Sequence, residues 1–189
     1  MTPEVTTELG GVHLAVAHRT ALCRMQHQVF SSPPFVTSVR SVQEQEKVFD
    51  GLLESRGFGI CLARYDGRIV GFAYGHRLPV DHLWWHGFPV DIPEHLSAEW
   101  EGRTFTLVDL AVAEGFRRQG LGRRLVDGLL ASRPEERVLL STQPAAGAAH
   151  AFYQATGWLL VGRKGPIEGV VPPYWDIYVR PIRRVDPPR

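Results

Sequence analysis

Residues 104–124 constrain the fold more than any other stretch of the chain. Thr104–Val112 is rich in Val, Leu, Phe and Thr, the composition of a strand. A turn containing Glu114 and Gly115 follows. Arg117, Arg118, Gln119, Gly120, Leu121 and Gly122 then open directly into a segment with Leu121, Leu125, Val126, Leu129 and Leu130 at helical spacing. A strand that passes through a glycine turn straight into a helix leaves the first helical amides without intrahelical partners. The helix dipole adds partial positive charge at the same place. Gly120 and Gly122 carry no side chain to block an incoming phosphate, and Arg117 and Arg118 can add charge-assisted hydrogen bonds. The chemistry of this turn is anion binding.

The flanking segments set the topology. A helix over 120–132 lies between strands at Thr104–Val112 and Arg137–Thr142, an order that predicts parallel pairing. Upstream, Gly59–Tyr65 and Arg68–Arg77 are joined by Asp66-Gly67, the strongest short hairpin signal, and must pair antiparallel. Further strands are expected at 11–18, where Val12, Leu14 and Val16 alternate with small or polar residues, and at 158–163 and 174–180. Helices are expected at 20–30, stopped by Pro33-Pro34, and at 41–56, where Ser41 and Glu44 have capping-box spacing. A last helix, 145–156, ends at Gly157. The result is an α/β fold with one mixed sheet of about seven strands flanked by about four helices. A single domain accounts for 1–189, with its core over about 11–180, a long aromatic loop at 78–103 and a frayed tail at 181–189.

Composition narrows the function. The net charge is +1, from 21 basic and 20 acidic residues, so no basic field exists for nucleic-acid phosphates. Cys23 and Cys61 are two cysteines in apolar surroundings, expected to be reduced core residues. No signal segment and no apolar run long enough to span a bilayer is visible, and a cytoplasmic protein with no membrane partner is expected. His82 and His86 stand at i, i+4, but no third ligand is evident and no metal is expected.

Two familiar phosphate turns fail. A dinucleotide-binding turn needs glycine where Leu125 stands, and a P-loop needs Lys-Ser/Thr where Arg123-Arg124 stand. Arg-x-x-Gly-x-Gly after Leu110-Ala111-Val112 instead resembles the acetyl-coenzyme A turn of the GCN5-related N-acetyltransferase (GNAT) superfamily. Downstream, Ala149, Phe152, Tyr153, Gly157 and Trp158 fit that superfamily's Ala-x-x-Phe-Tyr-x-x-x-Gly-aromatic pattern. The resemblance covers most of the chain, with its specific motifs between Thr104 and Trp158. It implies a GNAT-like fold whose strand at Thr104–Val112 bulges and splays from the next. The backbone at Leu110, Ala111 and Val112 would then pair with pantetheine, and Arg117, Arg118, Gln119, Gly120, Leu121, Gly122 and Arg123 would hold the pyrophosphate. It further implies acetyl-coenzyme A as cosubstrate, direct attack by an amine, an amide near Leu110 facing the carbonyl oxygen, and Tyr153 as acid toward the thiolate. Two positions depart from the pattern: Ala146 replaces a common asparagine and Glu114 a common proline.

Asp109 is the first candidate base, and strand alternation places it opposite to Val108 and Leu110. His82, His86, Glu99 and Glu101 are alternatives. Trp84, Trp85 and His86, with Trp175 and Asp176 across from them, are candidates for an acceptor wall suited to apolar, aromatic or cationic amines. The absence of an acidic cluster disfavours polycationic acceptors. The expected activity is acetyl transfer to a primary amine of a small molecule or peptide. The alternative is a non-catalytic acyl-coenzyme A sensor using the same cleft. A third reading has Arg117, Arg118, Arg123 and Arg124 binding nucleic acid, with steep salt dependence as its signature. Exposed strands near the C-terminus would allow a homodimer.

Overall fold

The computed structural model describes residues 4–35 and 42–182. Seven strands form one sheet in the order β1-β2-β3-β4-β5-β7-β6. They are β1 Thr6–Gly10, β2 Gly59–Tyr65, β3 Arg68–Arg77, β4 Thr104–Val112, β5 Arg137–Thr142, β6 Leu159–Lys164 and β7 Trp175–Pro181. Only β4 and β5 pair in parallel. The helices are α1 Val12–Ala17, α2 Arg19–Phe30, α3 Val42–Leu53, α4 Glu94–Ser97, α5 Leu121–Leu130 and α6 Gly147–Ala155. The mixed α/β sheet is the fold class expected.

The hairpin forms as read, with Asp66 at φ 50° and Gly67 at φ 72°, the left-handed pair that suits a two-residue connection. The strand expected over 11–18 does not form. Thr6–Gly10 supplies the first strand, before the expected start of the core, and Val12–Ala17 is helix α1. The apolar alternation misleads because Val12 and Val16 face solvent and only Ala15 is fully buried. Leu14 folds back on Gly10, where an added Cβ would meet Leu14 Cδ2 at 2.7 Å. The helix expected over 41–56 spans Val42–Leu53, and its cap, Ser41, lies outside the described residues, as does most of the tail.

Two packed faces enclose the sheet. On one, α5 and α6 cover Cys61, Ala63, Ala73, Phe105, Leu107, Val138, Leu140 and Tyr178. On the other, α1 to α3 cover Ile60, Leu62, Phe72, Tyr74 and Ala111. The second face continues over β5 and β7, where Trp84 and Trp85 of the 78–103 insertion pack on Leu78, Leu139 and Val179. That insertion carries α4 and a 3-10 turn at Leu83–Trp85 rather than running as plain loop. Cys23 and Cys61 are buried on opposite faces, both free, and burial pushes each thiol up to about 11.

Candidate active site

The site begins where β4 leaves β5. The two strands pair only from Thr104 to Thr106, against Arg137 to Leu139. Beyond Thr106, β5 continues with β7 as far as Thr142, while β4 stays on β3 until Val112 meets Gly71. A wedge therefore opens along β4 from Leu107 to Val112. A β-bulge adds to it: Asp109 pairs with Tyr74 and Leu107 with Gly75, which leaves Val108 as the extra residue. Gly75 makes the bulge feasible, because any Cβ there would run into the Thr106 carbonyl and the Phe105 ring.

The bulge corrects the orientation expected for Asp109. Phe105 and Leu107 face α5, whereas Val108 packs with the α2-side core. Asp109 follows it to that side and Leu110 returns to α5, so Asp109 shares a face with Val108 and opposes only Leu110. The Tyr74 hydroxyl donates a short hydrogen bond to Asp109 Oδ2, and the Gln26 side chain of α2 donates another. Loss of water raises the Asp109 pKa above the ordinary carboxylate range, against the opposing pull of those two donors. Burial, with the Asp109 charge behind it, raises the Tyr74 phenol well above its ordinary value.

Tyr153 approaches from the other face. It is buried on α6, edge-on to Phe152 and Trp158 and 5.4 Å between ring centres from Tyr178. Its pKa is raised by burial first, then by the Asp109 charge and by Tyr178. Asp109 and Tyr153 are thus electrostatic neighbours reached from opposite sides of the wedge. The phenol keeps its proton throughout the ordinary pH range.

The turn before α5 has the expected character. Left-handed residues at Arg118 (φ 62°) and Gly120 (φ 76°) curl the chain, and nothing lies within 4 Å of where a Gly120 Cβ would stand. The first helical bond runs from Arg124 N to Gly120 O, so the amides of Leu121, Gly122 and Arg123 have no helical partner. Gly122 packs near Phe152 and Leu110, tying the turn to α6 and β4. Arg117 donates to the Val112 carbonyl (3.0 Å) and Gln119 to that of Gly115 (3.0 Å), which fixes the loop against the strand end. Arg123 meets Asp127 at 3.4 Å and Arg124 reaches Val5 O, so the four arginines do not act as one basic face. Free amides, open space and an unpaired strand edge together fit a diphosphate joined to an extended pantetheine arm.

The acceptor-wall candidates separate. Trp85 and His86 line a recess of about 460 Å³ with His82, Asp91, Ser97 and Glu99. Trp84 packs instead into the core beside Leu139, and Trp175 lies on β7, its indole donating to the Pro172 carbonyl. Among the alternative bases, Glu99 is fully engaged by Trp85, Thr104 and Arg137, and Glu101 pairs with Arg77 and Arg56. Burial and nearby Lys164 and His76 lower the His82 pKa. Among the described residues no group of three or more His, Cys, Asp or Glu could hold a metal ion, and no helix is long and apolar enough to cross a membrane.

Sequence reasoning missed Tyr74 and Gln26 as partners of Asp109. It also missed a polar cluster on the α6 side. The Tyr178 hydroxyl and His150 Nδ1 share a hydrogen bond of 2.7 Å, His150 Nε2 lies 3.6 Å from Asp176, and Arg163 grips Asp176 through two bonds. Asp176 is therefore an internal ion-pair partner and not an acceptor-wall residue. Only the register Thr142↔Asp176 reveals that cluster, and no local signal carries it.

Comparison with known proteins agrees with this geometry. No curated protein sequence matches the chain. Among solved structures, a GNAT-family acetyltransferase from Staphylococcus aureus Mu50 superposes with a TM-score of 0.66 at 16% identity, over 95% of this chain and 100% of that one. The ribosomal-protein-S18-alanine N-acetyltransferase of Escherichia coli gives 0.63 at 17% identity, over 96% and 97%. Aminoglycoside 6'-acetyltransferase type Ii gives 0.65 at 15% identity, over 96% and 99%. At such identities the likeness is one of fold. The model of the acetyltransferase (GNAT) family matches residues 25–158, and the chain belongs to that family.

Proposed function

We propose that this protein transfers an acetyl group from acetyl-coenzyme A to a primary amine of a small molecule or peptide by direct attack. The observation that carries the reading is the wedge between β4 and β5, with Asp109 entering from the α2 side and Tyr153 from the α6 side. The cosubstrate supplies an activated thioester carbonyl. The free amides of Leu121, Gly122 and Arg123, with Arg117, Arg118, Gln119 and Gly120, receive its diphosphate, and the edge at Leu110, Ala111 and Val112 takes the pantetheine as an added strand.

Asp109 takes a proton from the attacking ammonium group, and burial makes it a stronger base than an exposed carboxylate. As the nitrogen–carbon bond forms, a β4 amide near Leu110 stabilises the negative charge on the carbonyl oxygen. As the carbon–sulfur bond breaks, the Tyr153 hydroxyl donates to the departing sulfur. With its pKa raised above 10 the phenol is a weaker acid than a thiol, so it acts by hydrogen bonding in step with cleavage rather than by early proton release. The nitrogen sheds two protons in all: the one Asp109 takes before attack passes on to solvent, and the one released once the nitrogen–carbon bond has formed ends on the coenzyme A sulfur.

Thiol release measured across an amine panel tests this reading. Tyr153→Phe is expected to lower turnover about 10²-fold with nearly unchanged acetyl-coenzyme A affinity. Unchanged turnover would remove Tyr153 from the chemistry. Tight acetyl-coenzyme A binding with no thiol release on any amine would support the sensor instead.

A further inference from the structure

A chain of polar side chains runs from the surface of β6 to the interior beside Tyr153. Arg163, half-exposed on β6, holds both oxygens of buried Asp176, at 2.7 and 3.0 Å. Asp176 Oδ2 lies 3.6 Å from His150 Nε2. His150 Nδ1 lies 2.7 Å from the Tyr178 hydroxyl, and Tyr178 is closed off from solvent. The Tyr178 ring stands 5.4 Å, centre to centre, from that of Tyr153.

Register fixes this chain against the wedge. The β4–β5 ladder ends at Leu139, and Tyr178 and Asp176 pair directly with Leu140 and Thr142, on the stretch of β5 that β4 has left. On α6, His150 precedes Tyr153 by one turn, so the two share a helix face. A buried ion pair adds little to stability, because apolar residues of similar volume hold a core as well. This one stands where charge develops as the carbon–sulfur bond breaks.

The hydrogens of the chain follow from its partners. The Gln143 carbonyl can only accept, and it lies 3.2 Å from His150 Nε2. Nε2 therefore carries a hydrogen whether the ring is neutral or charged. In the neutral ring Nδ1 is bare, and the Tyr178 hydroxyl donates to it. In the charged ring Nδ1 donates, and the Tyr178 hydroxyl turns its own hydrogen elsewhere. One proton from solvent thus reverses the hydroxyl beside Tyr153. It also changes the net charge. Arg163 cancels Asp176, and burial keeps the protons on Tyr178 and Tyr153, so a charged His150 leaves an uncompensated cation here. Both changes favour negative charge on the sulfur that Tyr153 meets.

We infer that His150 is a positioning residue for acyl transfer, acting with Tyr178 and Asp176 through Tyr153: its protonated form strengthens the hydrogen bond from the Tyr153 hydroxyl to the departing sulfur. The inference rests on the acyl-transfer reading above. The proton that ends on sulfur still comes from the amine, and the cluster neither gains nor loses atoms over a turnover.

The test is the ratio of wild-type kcat to that of His150→Gln, measured by thiol release between pH 5.5 and pH 8 over an amine panel that includes phenethylamine and trialanine. Titration of Asp109 and of the amine acts on both proteins alike and cancels in the ratio. From pH 8 to pH 5.5, the range in which imidazoles take up a proton, the ratio is expected to rise roughly threefold or more. KM for acetyl-coenzyme A should not change. A histidine that only packs would lower kcat by one factor at every pH when replaced. In a Tyr153→Phe background the ratio should be flat, and Tyr178→Phe should lose part of the rise. His150→Asn gives the same comparison should His150→Gln fail to fold. A flat ratio from an active wild type overturns the inference alone, as does a rise that survives intact in the Tyr153→Phe background. Thiol release with no amine of the panel removes the acyl-transfer reading and this inference with it.

Discussion

Tyr74 and Asp109 face each other across the β3–β4 ladder at the bulge, and the phenol donates its hydrogen to the carboxylate. A carboxylate placed there is costly to ionise. Its pKa in the folded chain lies above the unfolded value, so the folded state binds the Asp109 proton more tightly. The stability that goes with the protonated form is full below the unfolded pKa and is lost as pH rises through the folded one. Asp109→Asn keeps a carbonyl to accept from Tyr74 but cannot ionise. The melting temperature of Asp109→Asn minus that of the wild type should therefore be more positive at pH 7 than at pH 4. Its turnover should fall about 10²-fold if Asp109 is the base. Thermal melts at both pH values, run beside thiol-release kinetics, check the two expectations separately.

The bulge depends on Gly75. A Cβ at that position would meet the Thr106 carbonyl and Phe105 Cε1, and backbone and core ring cannot both retreat. Gly75→Ala should cost about 2–3 kcal/mol, the range of a strained core substitution. Any folded fraction should also lose activity, because straightening β4 turns Asp109 toward α5. Urea unfolding gives the first quantity. Gly71→Ala, where the nearest atoms are Leu125 Cδ1 at 2.9 Å and the Ala111 carbonyl at 3.1 Å, should be destabilising by a similar route without moving Asp109 across the sheet.

Gly120 and Gly122 have different reasons to be glycine. Gly120 sits at φ 76° with open space around it, so Gly120→Ala bears a conformational cost of about 1 kcal/mol and no clash. Gly122 lies inside α5, and an added Cβ would touch the Phe152 ring at 3.5 Å, an ordinary contact. Gly122→Ala should leave the melting temperature unchanged or raise it slightly. If the turn cradles a diphosphate, both substitutions weaken acetyl-coenzyme A binding, and Arg117→Glu weakens it further. Calorimetric affinities equal to wild type in all three variants would rule the cradle out.

The legible parts of this protein are those fixed by local chemistry. Asp66-Gly67 dictates its hairpin, and the bounds of β4 and β5 follow from composition alone. The turn from Val112 to Gly122 is legible because helix-start amides and glycines act locally. Asp109 was recognisable as a residue type, but its orientation was not, since the bulge arises from the fit of Gly75 under Phe105 and Thr106. Val12, Leu14 and Val16 carry a strand pattern that tertiary context overrides, because β2 already pairs with Thr6–Gly10. Tyr74 and Gln26 gain their roles only from the β3–β4 register and from the packing of α2 on the sheet, information spread over distant segments.

That insertion is anchored by one buried ion pair. Arg137 on β5 meets Glu99 at 2.6 Å, with both side chains below one tenth exposed. Glu99 also accepts from the Trp85 indole and from the Thr104 hydroxyl, so one carboxylate joins the recess wall to two neighbouring strands. Burial lowers the Arg137 pKa, while Glu99 works against that shift. Removing the carboxylate strands a buried guanidinium and should cost about 3–5 kcal/mol. Glu99→Gln keeps one carbonyl oxygen to accept from the Trp85 indole but loses the charge and the second acceptor, used by Thr104, and should fall between wild type and Glu99→Ala. Urea titrations followed by tryptophan fluorescence and by far-UV circular dichroism separate two outcomes. If the pair only anchors the insertion, the fluorescence transition of Glu99→Ala moves to lower urea ahead of the loss of secondary structure. If the pair supports the whole sheet, the two transitions shift together.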